Sequence, residues 1–445
     1  MRSEANRVPP TPHIESEIDP LEAVIVHRPG SEIEQMTPER AGLLLYNDIV
    51  PLSAVSEEYG SLVDVLSRDA AVFEIADLLA ASLDDESTRA HLLDRICAAP
   101  PADGRRAELE SMSAADLAQV AITGLRTAPR SLEDYLDTRT YDIPPLPNLY
   151  FMRDAGFAYR DRVSISAMAH PVRDAEAAIN SAVFFALRSR SGGRFAALFD
   201  GSETAVRDDR SGSAERTFRI EGGDVHIISS SLLAVGISER TSAQAVDRLC
   251  AQIGQAWGEP VTVIACLLPA QRSCIHLDMV FTRIDADCAL IHEPVVRGPS
   301  AMRTVRIDIE PGREPSVREG GPLLEALSAA GCDLKPVVCG GSDIVHQQRE
   351  QWLSGTNAFA LAPGRIVVYD CNRYTLDELD CAGFRIVTAA SYAGEADSAG
   401  GTGSAHSAGS GQPTPSRRIA ITLPGAELAR GGGGPRCMTL PLRRR

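Results

Sequence analysis

The stretch DVHIISSSLLAVGISERTSAQAVDRLCAQIGQAWGEPVTVIACLL, Asp224–Leu268, decides the fold class. It opens on a β-branched run, DVHIISSSLLAVGI, and closes on another, PVTVIACLL. Between them Ala243–Ala256 reads as a helix, with apolar residues at three and four spacing. The same alternation spreads outward. RVSISAM before it, then ALIHEPVV, MRTVRIDIEP, NAFALAPGRIVVYD, FRIVTAA and RRIAITLPG after it, read as strands. Asp174–Leu187, Gly321–Ala329 and Thr375–Ala382 read as helices. Strands alternating with helices argue for α/β units rather than an all-β sandwich. The pattern alone leaves a parallel sheet, a barrel and a propeller of small modules open.

Upstream, LEAVIVHRPG (Leu21–Gly30) is a strand ended by the turn pair Pro29-Gly30. From Ser67 to Gly124 the texture is helical, and Ser113 followed by Asp116 reads as a helix start. The chain divides into residues 1–72, a helical domain over 73–140 that carries no chemistry, and residues 141–445. The Gly/Ala/Ser-rich segment 393–416 reads as a flexible surface insertion.

Composition narrows the function. The chain has 445 residues, 44% of them apolar and 23% charged, the balance of a soluble globular protein. Its 60 acidic and 44 basic residues give a net charge of -16, a field that repels nucleic acid and anionic membranes. The ten cysteines form no CxxC pair, and several sit in apolar runs such as VTVIACLLP and DCALIHEP, as buried thiols in a reducing, cytoplasmic setting do. The N-terminus has no apolar core for a signal peptide, and no apolar run approaches the roughly 20 residues of a membrane span. There is no HExxH or zinc-spaced cysteine cluster, no phosphate loop, no dinucleotide fingerprint and no G-x-S-x-G elbow.

Four local features carry chemistry. Cys437, in GGGGPRCMTLPL, lies beside Arg430 and Arg436, and a nearby cation favours thiolate. The plain alternative is a buried thiol next to a glycine-rich turn. In CIHLDMVF, strand alternation puts His276 and Asp278 on one face, an arrangement for acid–base work or for ordinary strand-edge hydrogen bonds. In EGGDVHI, Glu221 and Asp224 bracket a Gly-Gly turn, either around a cation or as solvated acids. LPNLYFMRDAGF sets Asn148, Arg153 and Asp154 on one segment, which suits a binding site or an internal salt bridge.

Taken in series, these motifs resemble the bacterial arginine deiminases of the guanidine-modifying superfamily. The resemblance runs from VIVHRPG and LLLYNDI through LPNLYFMRD, the arginine of MAHPVRDAE, EGGDVHI, GISERTS and CIHLDMVF. It continues through REQWLSGTNAFALAPGRIVVYDCNRYT to ELARGGGGPRCMTLPL. It implies a five-bladed pseudo-symmetric α/β propeller of ββαβ modules, with an α-helical domain inserted after the first strands. It also implies hydrolysis of L-arginine to L-citrulline and ammonia, no metal or organic cofactor, and a homo-oligomer, dimer or tetramer. The residue roles follow from the same resemblance. Cys437 falls on the nucleophile and His276 on the general acid and base. Asp154 and Asp278 fall on the guanidinium-gripping pair, and Glu221 on the acid that supports substrate and histidine. Asn148, Arg173 and Arg240 fall on the groups that bind the α-carboxylate end, and Asp224 on a further substrate-binding acid. An enzyme acting on another guanidino compound, or an amidinotransferase, is the alternative.

The chain departs from the family at three points. A second arginine of the glycine-rich loop aligns with Gly432, and Arg436 is the nearest candidate to compensate. The family often has an arginine where Ala175 stands. The segment 393–416 is unusual in the family.

Overall fold

The computed structural model describes residues 8–98, 102–129, 131–136, 140–201, 218–299, 301–398 and 418–445. One topology recurs in it: two antiparallel strands, a helix, then a third strand parallel to the second. Gly156–Tyr159, Arg162–Ile165 and Ala196–Asp200 form the first such module, with helix Asp174–Arg190 between the last two strands. Val225–Ser229, Leu232–Ile237, helix Ala243–Ala256 and Val261–Leu267 form the second. The deciding stretch of sequence is thus one complete module. Phe281–Arg283, Cys288–Ile291, helix Leu323–Ala329 and Lys335–Val338 repeat it. Phe359–Ala362, Arg365–Tyr369, helix Arg373–Cys381 and Ile419–Leu423 repeat it with an added edge strand, Arg385–Thr388, which follows the helix and pairs parallel with the outer side of Ile419–Leu423.

The fifth module joins distant parts of the chain. Leu440–Arg444 pairs antiparallel with Leu21–Val26, which runs parallel to Ala71–Glu74 across helix Leu52–Asp69. The ring of an α/β propeller is closed by that pairing. The helix of the first module, Asp174–Arg190, is buried on nearly all sides, since the helices that follow Ala71–Glu74 pack on it as well as its own sheet.

After Ala71–Glu74 comes a run of helices, Ile75–Ser82, Glu86–Ile96, Arg106–Glu110 and Ala114–Thr123. Ser113 caps the last of these, its Oγ accepting the Asp116 N–H at 3.1 Å. Leu79, Leu92 and Leu117 share one apolar core with Phe157, Ile179 and Val183 of the first module. The helical run is therefore anchored by burial against the propeller.

Three sequence readings need correction. CIHLDMVF is not a strand up to Val280: Arg272–Cys274 and Leu277–Met279 are 3-10 turns, and pairing begins at Phe281. The second half of ALIHEPVV is helix, Glu293–Val296, started by Pro294 where a missing N–H costs nothing. The segment 393–416 begins inside a helix, Ala389–Ser398, and the remainder of it lies outside the described residues. Among the described residues the ten cysteines are all free, eight of them buried. No helix there is long and apolar enough to cross a membrane.

One buried ion triad welds the closing module. His27 follows its central strand and meets Glu74 at 2.8 Å through Nδ1 and Glu32 at 3.3 Å through Nε2. Burial alone lowers the imidazole pKa, but the two carboxylates raise it from 6.5 to about 9. A raised folded-state pKa stabilises fully below the unfolded value of 6.5 and is lost as pH rises through 9. The shift corresponds to about 3 kcal/mol. Urea unfolding is expected to show lower stability at pH 10 than at pH 7, with a shallower pH slope in His27→Gln. An unchanged slope in the variant sinks this assignment.

Candidate active site

Cys437 sits three residues before the ring-closing strand and is 3% exposed. Its thiol is fixed by Asn357, in the turn after helix Ile344–Trp352. The Asn357 Oδ1 accepts the backbone N–H of Arg436 at 3.0 Å and of Cys437 at 3.1 Å, while Nδ2 donates to Sγ at 3.1 Å. The thiol in turn reaches Asp278 Oδ2 at 3.5 Å. Burial pushes the Cys437 pKa well above that of an ordinary thiol, and Asp278 and Asp154 add to the rise. Arg436 works the other way but is outweighed. In the resting protein the sulfur is a thiol.

His276 is held face-on by the Gly-Gly turn that follows Glu221. A Cβ on Gly223 would lie 2.5 Å from Nδ1, so only glycine admits the ring. The Nε2 meets Glu221 Oε2 at 2.9 Å, and Nδ1 stands 3.6 Å from Asp154 Oδ1. Burial opposes the charged ring, yet Asp154, Glu221 and Asp224 together raise its pKa to about 9. The imidazole is therefore protonated at neutral pH. Glu221 is fully buried, and burial favours its neutral form. Arg240, His276 and Arg173 overcome this and hold it well below the usual carboxylate range.

The two remaining acids share a feature. Asp154 gives Oδ2 to Arg173 at 2.7 Å, and Asp278 gives Oδ2 to Arg436 at 2.8 Å. The other oxygen of each, Oδ1, is buried and accepts no hydrogen bond. Buried acceptors without donors are costly and rare. A pair of them beside a thiol and an imidazolium is built to receive a donor-rich cation from outside.

Asp154, Glu221 and His276 also place three potential ligand atoms within 4.8 Å of one another, the spacing of a metal site. Arg173 lies 2.7 Å from Asp154 and 4.0 Å from Glu221, and Arg240 lies 3.5 Å from Glu221. Two guanidinium charges already neutralise those acids, which sets the field against a divalent ion.

The structure thus gathers Cys437, His276, Glu221, Asp154 and Asp278 in one buried cluster. The other four, Asn148, Arg173, Asp224 and Arg240, surround that cluster with partners of their own. Arg173 faces inward, bonded to Asp154 and to Glu176 at 2.7 Å, so its guanidinium is committed to the protein. Asn148 spends its Nδ2 on the Leu44 carbonyl at 2.8 Å. Asp224 accepts from the Leu277 N–H at 2.9 Å and the Ser238 hydroxyl at 2.7 Å, tying the turn under His276 in place. Burial raises its pKa to about 7. Arg240, 3.5 Å from Glu221, alone of the four lines a cavity of about 360 Å³.

Two site residues, Asn357 and Glu17, carry no role in the sequence pattern, and Arg436 carries a different one. Asn357 lies in a quoted motif but carried no assigned role. Arg436 is 1% exposed, bonds Asp278 through NH1, and grips Glu17 through Nε at 3.0 Å and NH2 at 2.6 Å. It therefore cannot compensate for Gly432 at the cavity. Glu17 stands in HIESEIDP, where nothing in the local pattern marks it. Burial raises its pKa, but Arg436, His226 and Arg153 hold it well below the usual range. Arg430, expected near the thiol, points away to Asp48 and Glu427.

A family model described as arginine deiminase matches residues 42–444. The arginine deiminase of Bacillus cereus (strain ATCC 10987 / NRS 248) is 30% identical over 454 aligned residues, covering 97% of this chain and 98% of its own. That of Latilactobacillus sakei is 30% identical over 453, with the same coverage. Among solved structures, an amidinotransferase from Microseira wollei aligns over 98% of this chain and 97% of its own, at 12% identity and a TM-score of 0.49.

Proposed function

The chain belongs to the arginine deiminase family, and from that premise we propose how its buried cluster hydrolyses L-arginine to L-citrulline and ammonia. One observation carries the proposal: Asp154 and Asp278 each leave a buried oxygen without a donor beside Cys437. A guanidinium edge supplies paired N–H donors to both, and the bonds are charge-assisted on each side. Held there, its central carbon stands over the sulfur in a near-attack position.

The reaction then balances as follows. Asp278 Oδ2 is the nearest acceptor for the thiol proton. The Cys437 thiolate attacks the guanidinium carbon and gives a neutral tetrahedral adduct. His276, cationic at neutral pH, protonates one amino group of that adduct, and ammonia leaves. A cationic thiouronium remains on the sulfur. The imidazole, now neutral, takes a proton from water as the water attacks the same carbon. The second adduct collapses: its hydroxyl proton passes to solvent, the C–S bond breaks, the departing sulfur takes back its proton from Asp278, and L-citrulline leaves. Glu221 keeps the imidazole oriented through both steps.

Incubation of the protein with L-arginine tests the reading. Citrulline and ammonia are expected in equal amounts. Ornithine appearing only when an amine acceptor is present would instead mark amidino transfer.

The resting thiol leads to a further prediction. A bound guanidinium neutralises the two carboxylates that burial sets against the thiolate, so the Cys437 pKa must fall on binding. The pH midpoint of Cys437 alkylation by iodoacetamide is expected to move down when a guanidine that is not hydrolysed is present at subsaturating level. A midpoint that stays in place would falsify substrate-assisted ionisation.

A further inference from the structure

The amino-acid end of the substrate lacks a partner among the groups that hold the guanidinium. Arg173 is taken by Asp154 and Glu176, and Arg436 by Glu17 and Asp278. What binds that end must line the cavity in whose wall Arg240 stands. The cavity adjoins the cluster, since Ile275 and Met279, chain neighbours of His276 and Asp278, form part of its wall. Gly432 forms another part. It has a φ of +90°, and no atom lies within 4 Å of the position a Cβ would take. At that point the wall is open and carries no charge.

Two arginines line the same cavity, Arg240 and Arg272. His170 lines it too, but burial and Arg240 lower its pKa, so it is neutral at neutral pH. Arg240 is buried, and its Nε and NH1 make no hydrogen bond. Arg272 is exposed and opens the 3-10 turn Arg272–Cys274, four residues before His276. Among the described residues it has no ion pair and no hydrogen bond. Its guanidinium is a free, planar, doubly donating group in the wall of a cavity that must receive a carboxylate. Glu239 lines the cavity as well, its Oε1 3.6 Å from Arg240 Nε, and sets a negative charge on the side where the substrate's ammonium would lie.

We propose that Arg272 is a specificity-determining residue that binds the α-carboxylate of the substrate, together with Arg240, at the place where Gly432 leaves the cavity wall uncharged. The inference rests on the proposed hydrolysis of L-arginine. An exposed guanidinium is partly screened by solvent, so its contact acts on binding and is weakened by salt. It stands outside the reacting atoms, so it acts on KM rather than on kcat.

The test compares wild type with Arg272→Gln and Arg272→Lys. KM and kcat are measured for L-arginine. The inhibition constant is measured for agmatine, which has the guanidinium and no carboxylate. In Arg272→Gln the KM for L-arginine is expected to rise about tenfold, with kcat within twofold and agmatine inhibition unchanged. Arg272→Lys is expected to recover part of the loss. Raising the salt should increase KM in wild type more than in Arg272→Gln. An unchanged KM, or an equal loss of L-arginine and agmatine binding, overturns the proposal. A folded wild-type protein that makes no citrulline overturns the underlying reading instead.

Discussion

Replacing Cys437 with alanine is expected to end release of both citrulline and ammonia from L-arginine, by at least about 10⁴-fold. The reason is that the cluster holds no second nucleophile. His276 is bonded to Glu221 and carries a proton, and the carboxylates face the substrate as acceptors. The fold should survive, because the change removes one buried sulfur and leaves the Asn357 bonds to the backbone N–H groups of Arg436 and Cys437 in place. Circular dichroism and a thermal melt check the fold, and a citrulline assay checks the activity. A variant that keeps a tenth of wild-type turnover would remove covalent catalysis from the account.

The largest effect on stability is expected at Arg436. This side chain is buried between Glu17 and Asp278, and it also donates to the carbonyls of Gly223 at 3.3 Å and Val225 at 2.7 Å. Its removal strands two carboxylates in a low-dielectric interior. Breaking a buried ion pair from one side costs about 3–5 kcal/mol. Arg436→Met should therefore unfold at markedly lower urea concentration than wild type. It should also lose activity, since Asp278 is no longer oriented beside the thiol. Adding Glu17→Gln to Arg436→Met removes one stranded charge, so the double variant should regain part of the stability. If Arg436→Met unfolds with the wild-type midpoint, the triad is not the structural pin that its geometry describes.

The sequence revealed what short-range pattern encodes. Strand and helix alternate within each module at spacings of a few residues, and Ala243–Ala256 was read to the residue. The five main members of the cluster were legible because each stands in a motif long enough to match a family. Glu17 was not, because its meaning comes from Arg436, more than 400 positions away in the chain. The strand assigned to CIHLDMVF failed for a related reason. The Asp224 carboxylate takes the Leu277 N–H that a neighbouring strand would otherwise have taken, and no local pattern records that partner. Arg173 was read as a substrate ligand from its motif. That Asp154 and Glu176 also engage its donors belongs to tertiary packing. The helix Ala389–Ser398 was hidden by the small residues that surround it, although alanine itself favours helix.

The pairing of Leu440–Arg444 with Leu21–Val26 has a consequence for synthesis. A ribosome makes Asp154, Glu221, His276 and Asp278 long before it makes Cys437. A nascent chain can therefore assemble four modules, and most of the charged cluster, while the sulfur is still missing. Cys437 then arrives on the same short segment that completes the circle. Arrival of this thiol and topological completion are one event, so a chain that has not closed its ring does not yet hold the Cys437 sulfur beside the cluster.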